Sequence, residues 1–205
     1  MKTDMTELGE TTFLILCGGQ GTRMGGVDKP LLPWRGQPLV EHVRATVPAA
    51  TPVLISANRN LEEYARVGDC FTDAQVIRDT AALPNGLASP LLGVLGGLRR
   101  ARTPWLLVSP GDTPALRSDW HQPLLTQKTK NGAVAHDGQR QQHLHLLLNV
   151  SLADQLADYL ASGAFEVWRW LAQIGLAVVE VTPAERFTNL NRPEELAALD
   201  RSAAP

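Results

Sequence analysis

LILCGGQGTRMGGVDKPLL, residues 14–32, decides how this chain folds. Its first part belongs to Phe13–Cys17, a short continuous apolar run that is typical of a parallel strand buried on both faces. The run leads directly into Gly18–Gly26, where glycines accept positive φ angles and let backbone N–H groups approach an anion closely. Arg23 adds a planar guanidinium that can form two hydrogen bonds with a phosphate, and Lys29 adds the compact positive charge of its ammonium group. The junction therefore predicts a loop that binds a chain of phosphates.

Two familiar phosphate-binding motifs do not match this loop. The dinucleotide pattern GxGxxG, started at Gly19, meets Met24 at its sixth position. The P-loop pattern fails because neither Gly25 nor Gly26 is followed by lysine. A glycine-rich turn with solvated charges is the alternative interpretation. Five glycines between a buried strand and an Arg/Lys pair favour a triphosphate-binding loop of a third type.

Outward from the loop, apolar runs of strand length alternate with helical patterns. This alternation predicts an α/β fold: a three-layer, doubly wound, mostly parallel sheet of Rossmann-like type. Ligands in such sheets bind at the carboxyl ends of the strands. We interpret residues 1–205 as one domain, with residues 1–11 as a loose N-terminal tail. Further strands are predicted at 53–56, 76–77, 105–109, 144–148 and 177–181, and helices at 39–47, 61–67, 91–101, 152–160, 167–174 and 194–199.

Composition and charge exclude several classes of protein. The 19 Lys and Arg against 21 Asp and Glu give a net charge of −2, which argues against broad duplex-DNA binding. No apolar run approaches the roughly 18 residues that span a bilayer, and the polar start predicts no secretory signal. Cys17 and Cys70 form no CxxC pair, so neither a zinc site nor a disulfide framework is indicated. We therefore expect a cytoplasmic protein without nucleic-acid or membrane partners.

Two carboxylates follow predicted strands. Asp112 lies in the turn Pro110–Pro114, directly after the strand at 105–109, and Asp79 follows the short strand at 76–77. A carboxylate at this edge of the sheet, opposite a phosphate loop, is suited to hold Mg²⁺, which takes one or two protein oxygens plus water and substrate phosphates. The alternative for both residues is a cap on a turn or helix.

Other chemically capable side chains are interpreted as structural. His143 and His145 alternate along a predicted strand and so share one face, which we take to be the solvent face. No carboxylate or cysteine pattern accompanies them, so surface histidines are favoured over a zinc site. Cys17 lies at the end of a buried strand and is interpreted as a small core residue.

Several segments besides the loop occur in the order and spacing of a known family. They are ISANRN at 55–60, VIRDT at 76–80, GDTP at 111–114, HDGQR at 136–140 and TNLNRPEEL at 188–196. Together with GGQGTRMGGVDK they resemble the molybdenum cofactor guanylyltransferases, or MobA family, among the nucleotidyltransferases with a GT-A-like, nucleotide-diphospho-sugar transferase fold. The resemblance covers nearly the whole chain.

The resemblance implies an Mg²⁺-dependent enzyme that transfers GMP from GTP to the terminal phosphate of molybdenum-loaded molybdopterin, with release of pyrophosphate. It also implies transient contacts with other molybdenum-cofactor proteins. Arg23, Lys29 and Asp112 are then the catalytic residues: Arg23 on the β- and γ-phosphates, Lys29 on the α-phosphate and Asp112 on the metal. Nucleotide-binding positions are Leu16, Cys17, Gly18, Gly19, Gly21, Thr22, Ser56 and Asp79, and second-substrate positions are Gly26, Asn189 and Asn191.

The chain departs from the family pattern at several positions. Cys17 stands where alanine is usual, Gly111 where cysteine is common, and Ser56 where some members have asparagine. These departures leave the nucleobase more open than the chemistry. The alternatives are a cytidylyltransferase for the same pterin, a sugar-1-phosphate nucleotidyltransferase, or a nucleotide-binding regulator without activity. Retention of Arg23, Lys29 and Asp112 together argues against the last.

Overall fold

The computed structural model describes residues 8–18, 28–69, 74–77, 89–182 and 187. In these residues the chain builds a seven-stranded sheet with the strand order β5-β4-β1-β6-β8-β7-β9, and a separate two-stranded hairpin, β2-β3. The strands are β1 Thr11–Leu16, β2 Pro33–Trp34, β3 Gln37–Pro38, β4 Val53–Ser56, β5 Ala74–Ile77, β6 Trp105–Pro110, β7 Gly132–His136, β8 Gln141–Asn149 and β9 Ala177–Glu180.

The sheet is mostly parallel, as predicted. β5, β4, β1 and β6 run parallel to one another, and β7 is parallel to β9. β8 is antiparallel to both of its neighbours, β6 and β7. β7 was not predicted, because GAVAH is dominated by small residues and carries a weak apolar signal.

Helices cover both faces of the sheet, which confirms the three-layer prediction. Along β1, Phe13 and Ile15 face one core and Leu14 faces the other. The first core lies under the helices α1 and α4 and part of α2, and the second lies under α3, α5 and α6. The helices are α1 Leu39–Arg44, α2 Leu61–Asp69, α3 Pro90–Arg100, α4 Gln122–Gln127, α5 Ala153–Ala161 and α6 Val167–Ile174.

Helix α3 packs tightly against the central strand at Gly97, one of its three glycines. A Cβ on Gly97 would lie 2.7 Å from Leu14 Cδ2, so glycine permits the close approach of helix and sheet. Ser89 caps the helix by accepting from Leu91 N–H, and Pro90 follows at a position where its missing N–H costs nothing.

The predicted loose tail ends earlier than residue 11. Leu8 is buried in the first core, Glu10 O accepts from Trp105 N–H at 3.2 Å, and Thr11 already begins β1. The prediction is therefore wrong for residues 8–11, because pairing with β6 extends the strand beyond its apolar run. No helix within the described ranges is long and apolar enough to cross a membrane.

Candidate functional site

The carboxyl ends of three parallel strands meet at one edge of the sheet. Leu16, the last residue of β1, pairs with Ser56 of β4 on one side and with Pro110 of β6 on the other. The ladder continues one residue further: Cys17 N–H donates to Ser56 O at 2.8 Å, and Gly111 N–H donates to Leu16 O at 2.9 Å. The predicted positions Leu16 and Cys17 are thus adjacent to the turn that carries Asp112, whereas Ser56 lies on the other side of β1 from that turn.

The two ends of the glycine-rich loop are described, whereas its middle is not. The chain leaves the sheet at Cys17, which is buried as predicted, and at Gly18, which is exposed. It returns at Asp28 and enters a 3-10 turn, Lys29–Leu31. The predicted residues that lie outside the described residues are Gly19, Gly21, Thr22, Arg23, Gly26, Asp79, Asn189 and Asn191.

The positive charge of Lys29 acts on the Asp112 carboxyl at this edge of the sheet. Burial raises the pKa of the Asp112 carboxyl, and the positive charge of Lys29 opposes this rise without cancelling it. The turn that carries Asp112 is closed by Thr113, whose buried hydroxyl donates to Pro110 O at 2.9 Å. Thr113 therefore closes this turn, while the Asp112 carboxylate interacts with its own backbone N–H and with the charge of Lys29, at a position where it could also contact a cation.

The donor set at this edge fits Mg²⁺ better than a metal held by protein alone. Within the described ranges no group of three or more His, Cys, Asp or Glu side chains is placed to hold a metal ion. Asp112 is partly exposed and offers a single carboxylate. Mg²⁺ commonly takes one or two protein carboxylates and completes its shell with water and substrate phosphates, so the Asp112 carboxylate beside the predicted phosphate loop could hold it.

Packing explains the two departures from the family pattern at positions 17 and 111, where cysteine replaces alanine and glycine replaces cysteine. A Cβ on Gly111 would lie 2.8 Å from Cys17 Sγ and 3.1 Å from Pro30 Cβ. The Cys17 sulfur therefore occupies the space that a side chain at position 111 would need. The pattern expected from the family resemblance, alanine at position 17 and cysteine at position 111, would place the side chain on the other residue of this pair.

Gly111→Cys is accordingly expected to destabilise the protein, and Cys17→Ala is expected to rescue it. Overpacking a well-filled site costs about 1–3 kcal/mol of unfolding free energy. In the double variant Cys17→Ala/Gly111→Cys one side chain replaces the other, so most of that loss is recovered. Denaturant unfolding of the two single variants and the double variant measures the coupling. Additive losses would contradict the shared-space explanation.

Asp28 forms a buried network that the sequence analysis did not single out. Its carboxylate accepts from Tyr64 Oη–H at 2.9 Å and from Asn60 Nδ2–H at 3.0 Å, and Arg59 Nε lies 3.5 Å from it. Asp28 is only 7% exposed. The available signal was the Asn-Arg-Asn run at 58–60, polar residues directly after a buried strand at the carboxyl edge of the sheet.

A cavity of about 480 Å³ opens on the other side of β6. It begins beside Pro110, two residues before Asp112. The turn before β8 is organised by buried Asp137, which accepts from the backbone N–H groups of Gln139 and Arg140, both at 2.8 Å. Burial pushes the pKa of Asp137 upward, but these hydrogen bonds, together with Gln142 and the Arg140 charge, hold it below its usual value. The cavity is lined by Pro110, Arg140, Gln141, Gln142, His143, Leu144 and His145.

The prediction of two surface histidines is wrong for His145. This residue is 2% exposed and packs between the rings of Trp120 and Phe187. Its Nε2 has no hydrogen-bond partner in the described structure, and burial lowers its pKa to about 3, so the ring is neutral. Alternation of side chains between the two faces of β8 does not predict this burial, because the register between β7 and β8 shifts here. Val134 pairs with Leu146, but Ala135 pairs with Gln142. His143 is exposed, as predicted.

Comparisons of the sequence with known proteins all indicate the same family. Residues 13–178 match the family described as MobA-like NTP transferase domain. The molybdenum cofactor guanylyltransferase of Burkholderia ambifaria strain MC40-6 is 42% identical over 200 residues, covering 93% of this chain and 95% of the relative. The enzyme of the same name from Cupriavidus taiwanensis is 37% identical over 199 residues, covering 92% and 96%.

Solved structures share the fold. The molybdopterin-guanine dinucleotide biosynthesis protein A of Archaeoglobus fulgidus superposes with a TM-score of 0.69 at 18% identity, covering 93% of this chain and 97% of the other. The 4-diphosphocytidyl-2C-methyl-D-erythritol synthase of Anaerococcus prevotii gives a TM-score of 0.67 at 10% identity, covering 96% and 98%. At these identities the likeness concerns the fold alone.

Proposed function

Because this chain belongs to the family of MobA-like NTP transferases, we propose that it transfers GMP from GTP to the terminal phosphate of molybdopterin that carries molybdenum. The products are the guanine dinucleotide form of the cofactor and pyrophosphate. The observation that carries the proposal is that Lys29, just after the predicted phosphate loop, acts electrostatically on the Asp112 carboxyl, which follows β6, the strand paired with β1. We place the reaction in the cytoplasm.

The nucleotide half of the site follows from the loop and the strand ends. Backbone N–H groups satisfy phosphate oxygens without side-chain entropy, and they are preorganised where strands end in glycine-rich turns. Lys29 brings a point charge to the α-phosphate, and Arg23 brings a fork to the departing β- and γ-phosphates. In this proposal the base and ribose contact Leu16, Cys17, Gly18, Gly19, Ser56 and Asp79, and the phosphates contact Gly21 and Thr22.

Asp112 would hold the metal. A bound Mg²⁺ would supply positive charge that stabilises the negative charge developing on the phosphates. The protein itself forms no covalent bond to the nucleotide in this scheme. Its residues align the attacking and leaving oxygens and place positive charge where negative charge grows.

The acceptor is proposed to approach from the cavity beside Pro110. There Arg140 offers a cationic fork and His143 an exposed ring at the cavity wall. An oxygen of the acceptor phosphate forms the new bond to the α-phosphorus, and the bond from that phosphorus to the β-phosphate oxygen breaks as pyrophosphate departs. Gly26, Asn189 and Asn191 remain proposed second-substrate positions, and other molybdenum-cofactor proteins remain proposed transient partners.

Nucleotide preference is the direct test of this proposal. With Mg²⁺ present, GTP at 100 times its Kd is expected to stabilise the folded state by about 2.7 kcal/mol, because it binds only that state. CTP, UTP and ATP at the same concentration are expected to raise Tm less. A larger shift with CTP would favour the cytidylyltransferase alternative. If GTP binds but no pyrophosphate forms with molybdopterin, the inactive regulator is favoured instead.

A further inference from the structure

The Asp28 carboxylate joins two parts of the chain that are distant in sequence. It lies at the end of the glycine-rich loop, Asn60 begins α2, and Tyr64 lies one turn further along that helix. The main chain of Asp28 is engaged as well, because its carbonyl accepts from Leu31 N–H at 3.0 Å and so closes the turn that contains Lys29. One residue is therefore bonded both to α2 and to the turn that carries the lysine.

Tyr64 also reaches the beginning of the loop. Its hydroxyl lies beside Cys17 as well as Asp28, and both neighbours, after burial itself, raise the pKa of the phenol. The phenol is therefore neutral and donates its proton to Asp28. The buried Tyr64 hydroxyl thus donates to Asp28, at the end of the glycine-rich segment, and is also influenced by Cys17, at its beginning.

Asn60 is held in a strained conformation by the same network. Its φ is +51°, in the left-handed region that few residues other than glycine and asparagine adopt readily. Its carbonyl accepts the first hydrogen bond of α2, from Tyr64 N–H at 3.1 Å. Its side-chain amide is directed to Asp28 at 3.0 Å. Strain of this kind persists where surrounding contacts determine the geometry and clusters at functional sites.

We propose that Asp28, Asn60 and Tyr64 form a clamp that holds the end of the phosphate loop and thereby positions Lys29 for phosphoryl transfer. The proposal rests on the proposed function, since it assigns Lys29 its task there. A buried carboxylate that keeps all its hydrogen bonds has little freedom to shift, because each lost bond leaves a desolvated charge. Lys29 is the next residue, so a displacement of Asp28 displaces the lysine. A misplacement of about 1 Å can cost 100-fold in rate.

The test uses the two tyrosines of the chain. Tyr64→Phe removes only the hydroxyl of the clamp. Tyr159→Phe is the matched control, because it also removes the hydroxyl of a buried tyrosine. Tyr159 lies on α5, and its hydroxyl donates to the backbone carbonyl of Glu166 at 3.0 Å. We expect Tyr64→Phe to lower kcat by about 10-fold with less than a threefold change in the KM of the nucleotide. Tyr159→Phe is expected to change kcat by less than twofold. Equal kcat values in the two variants would overturn the proposal.

Two further variants separate positioning from folding. Asn60→Gly keeps the left-handed backbone accessible but removes the amide and one hydrogen bond to buried Asp28, so kcat is expected to fall about fivefold and Tm by a few degrees, with the protein still folded at the assay temperature. In the Lys29→Ala background, adding Tyr64→Phe is expected to lower kcat by no more than twofold, because the lysine through which the clamp acts is absent. A persistent 10-fold loss there would overturn the proposal.

Each rate is measured as pyrophosphate release with the nucleoside triphosphate that the wild-type enzyme uses fastest. A preference for a nucleotide other than GTP would therefore contradict the proposed function while the comparison of Tyr64→Phe with Tyr159→Phe still decides on the clamp.

Discussion

Asp112→Asn will lower kcat for pyrophosphate release by about 10²–10³-fold or more while the protein stays folded. Losing one preorganised electrostatic contact to the reacting groups costs about this much in other enzymes, and here the lost carboxylate is also the proposed metal ligand. The substitution keeps the size and shape of the side chain, so packing around the turn is preserved. Asp158→Asn, an exposed carboxylate on α5, is the control and should retain wild-type rates.

The same variant is expected to be at least as stable as the wild type at neutral pH. Burial raises the pKa of Asp112, so its ionised form is less favourable in the folded protein than in the unfolded chain. This cost is present above the raised pKa, and it disappears as the pH falls below the ordinary value for aspartate. Thermal unfolding at pH 7 and at low pH should therefore show a gain for Asp112→Asn that shrinks on acidification. Near-normal turnover by Asp112→Asn would contradict the proposal that Asp112 holds the metal needed for catalysis.

The neighbourhood of Asp112 and Lys29 followed from the sequence because it depends on local rules. An apolar run before a glycine-rich segment predicts a parallel strand, and parallel strands deliver their carboxyl ends to a common edge. Asp112 directly follows one such strand, and Lys29 follows the loop that leaves another. Both residues were thus expected at this edge before any tertiary contact was known.

The Asp28 clamp and the burial of His145 depend on contacts that no local pattern encodes. Tyr64 and Asp28 are 36 positions apart, and helical spacing alone marks Tyr64 as one more core residue. The burial of His145 depends on the register shift between β7 and β8, which periodicity along one strand does not reveal. Sequence patterns therefore predict a site at the carboxyl edge of the sheet, whereas the contacts among its described residues come from tertiary structure.

Lys29→Ala is expected to lower kcat by about 10²–10³-fold and to raise the KM for GTP by no more than about tenfold. The reason is that negative charge on the transferring group and the leaving pyrophosphate grows in the transition state, so a cation placed there stabilises the transition state more than bound GTP. Steady-state kinetics at saturating Mg²⁺ measures both constants separately.

Lys29→Arg tests whether a positive charge at position 29 is sufficient or whether the shape and reach of the side chain also matter. It keeps the positive charge but replaces a compact ammonium on a flexible stem by a planar fork with different reach. If charge alone sufficed, this variant would recover most of the rate. We expect partial recovery, to within about tenfold of wild type, because the guanidinium carries the charge but differs from the ammonium in shape and reach. A rise in KM without a fall in kcat for Lys29→Ala would instead make Lys29 a ground-state binding residue, and the proposed transition-state role would be lost.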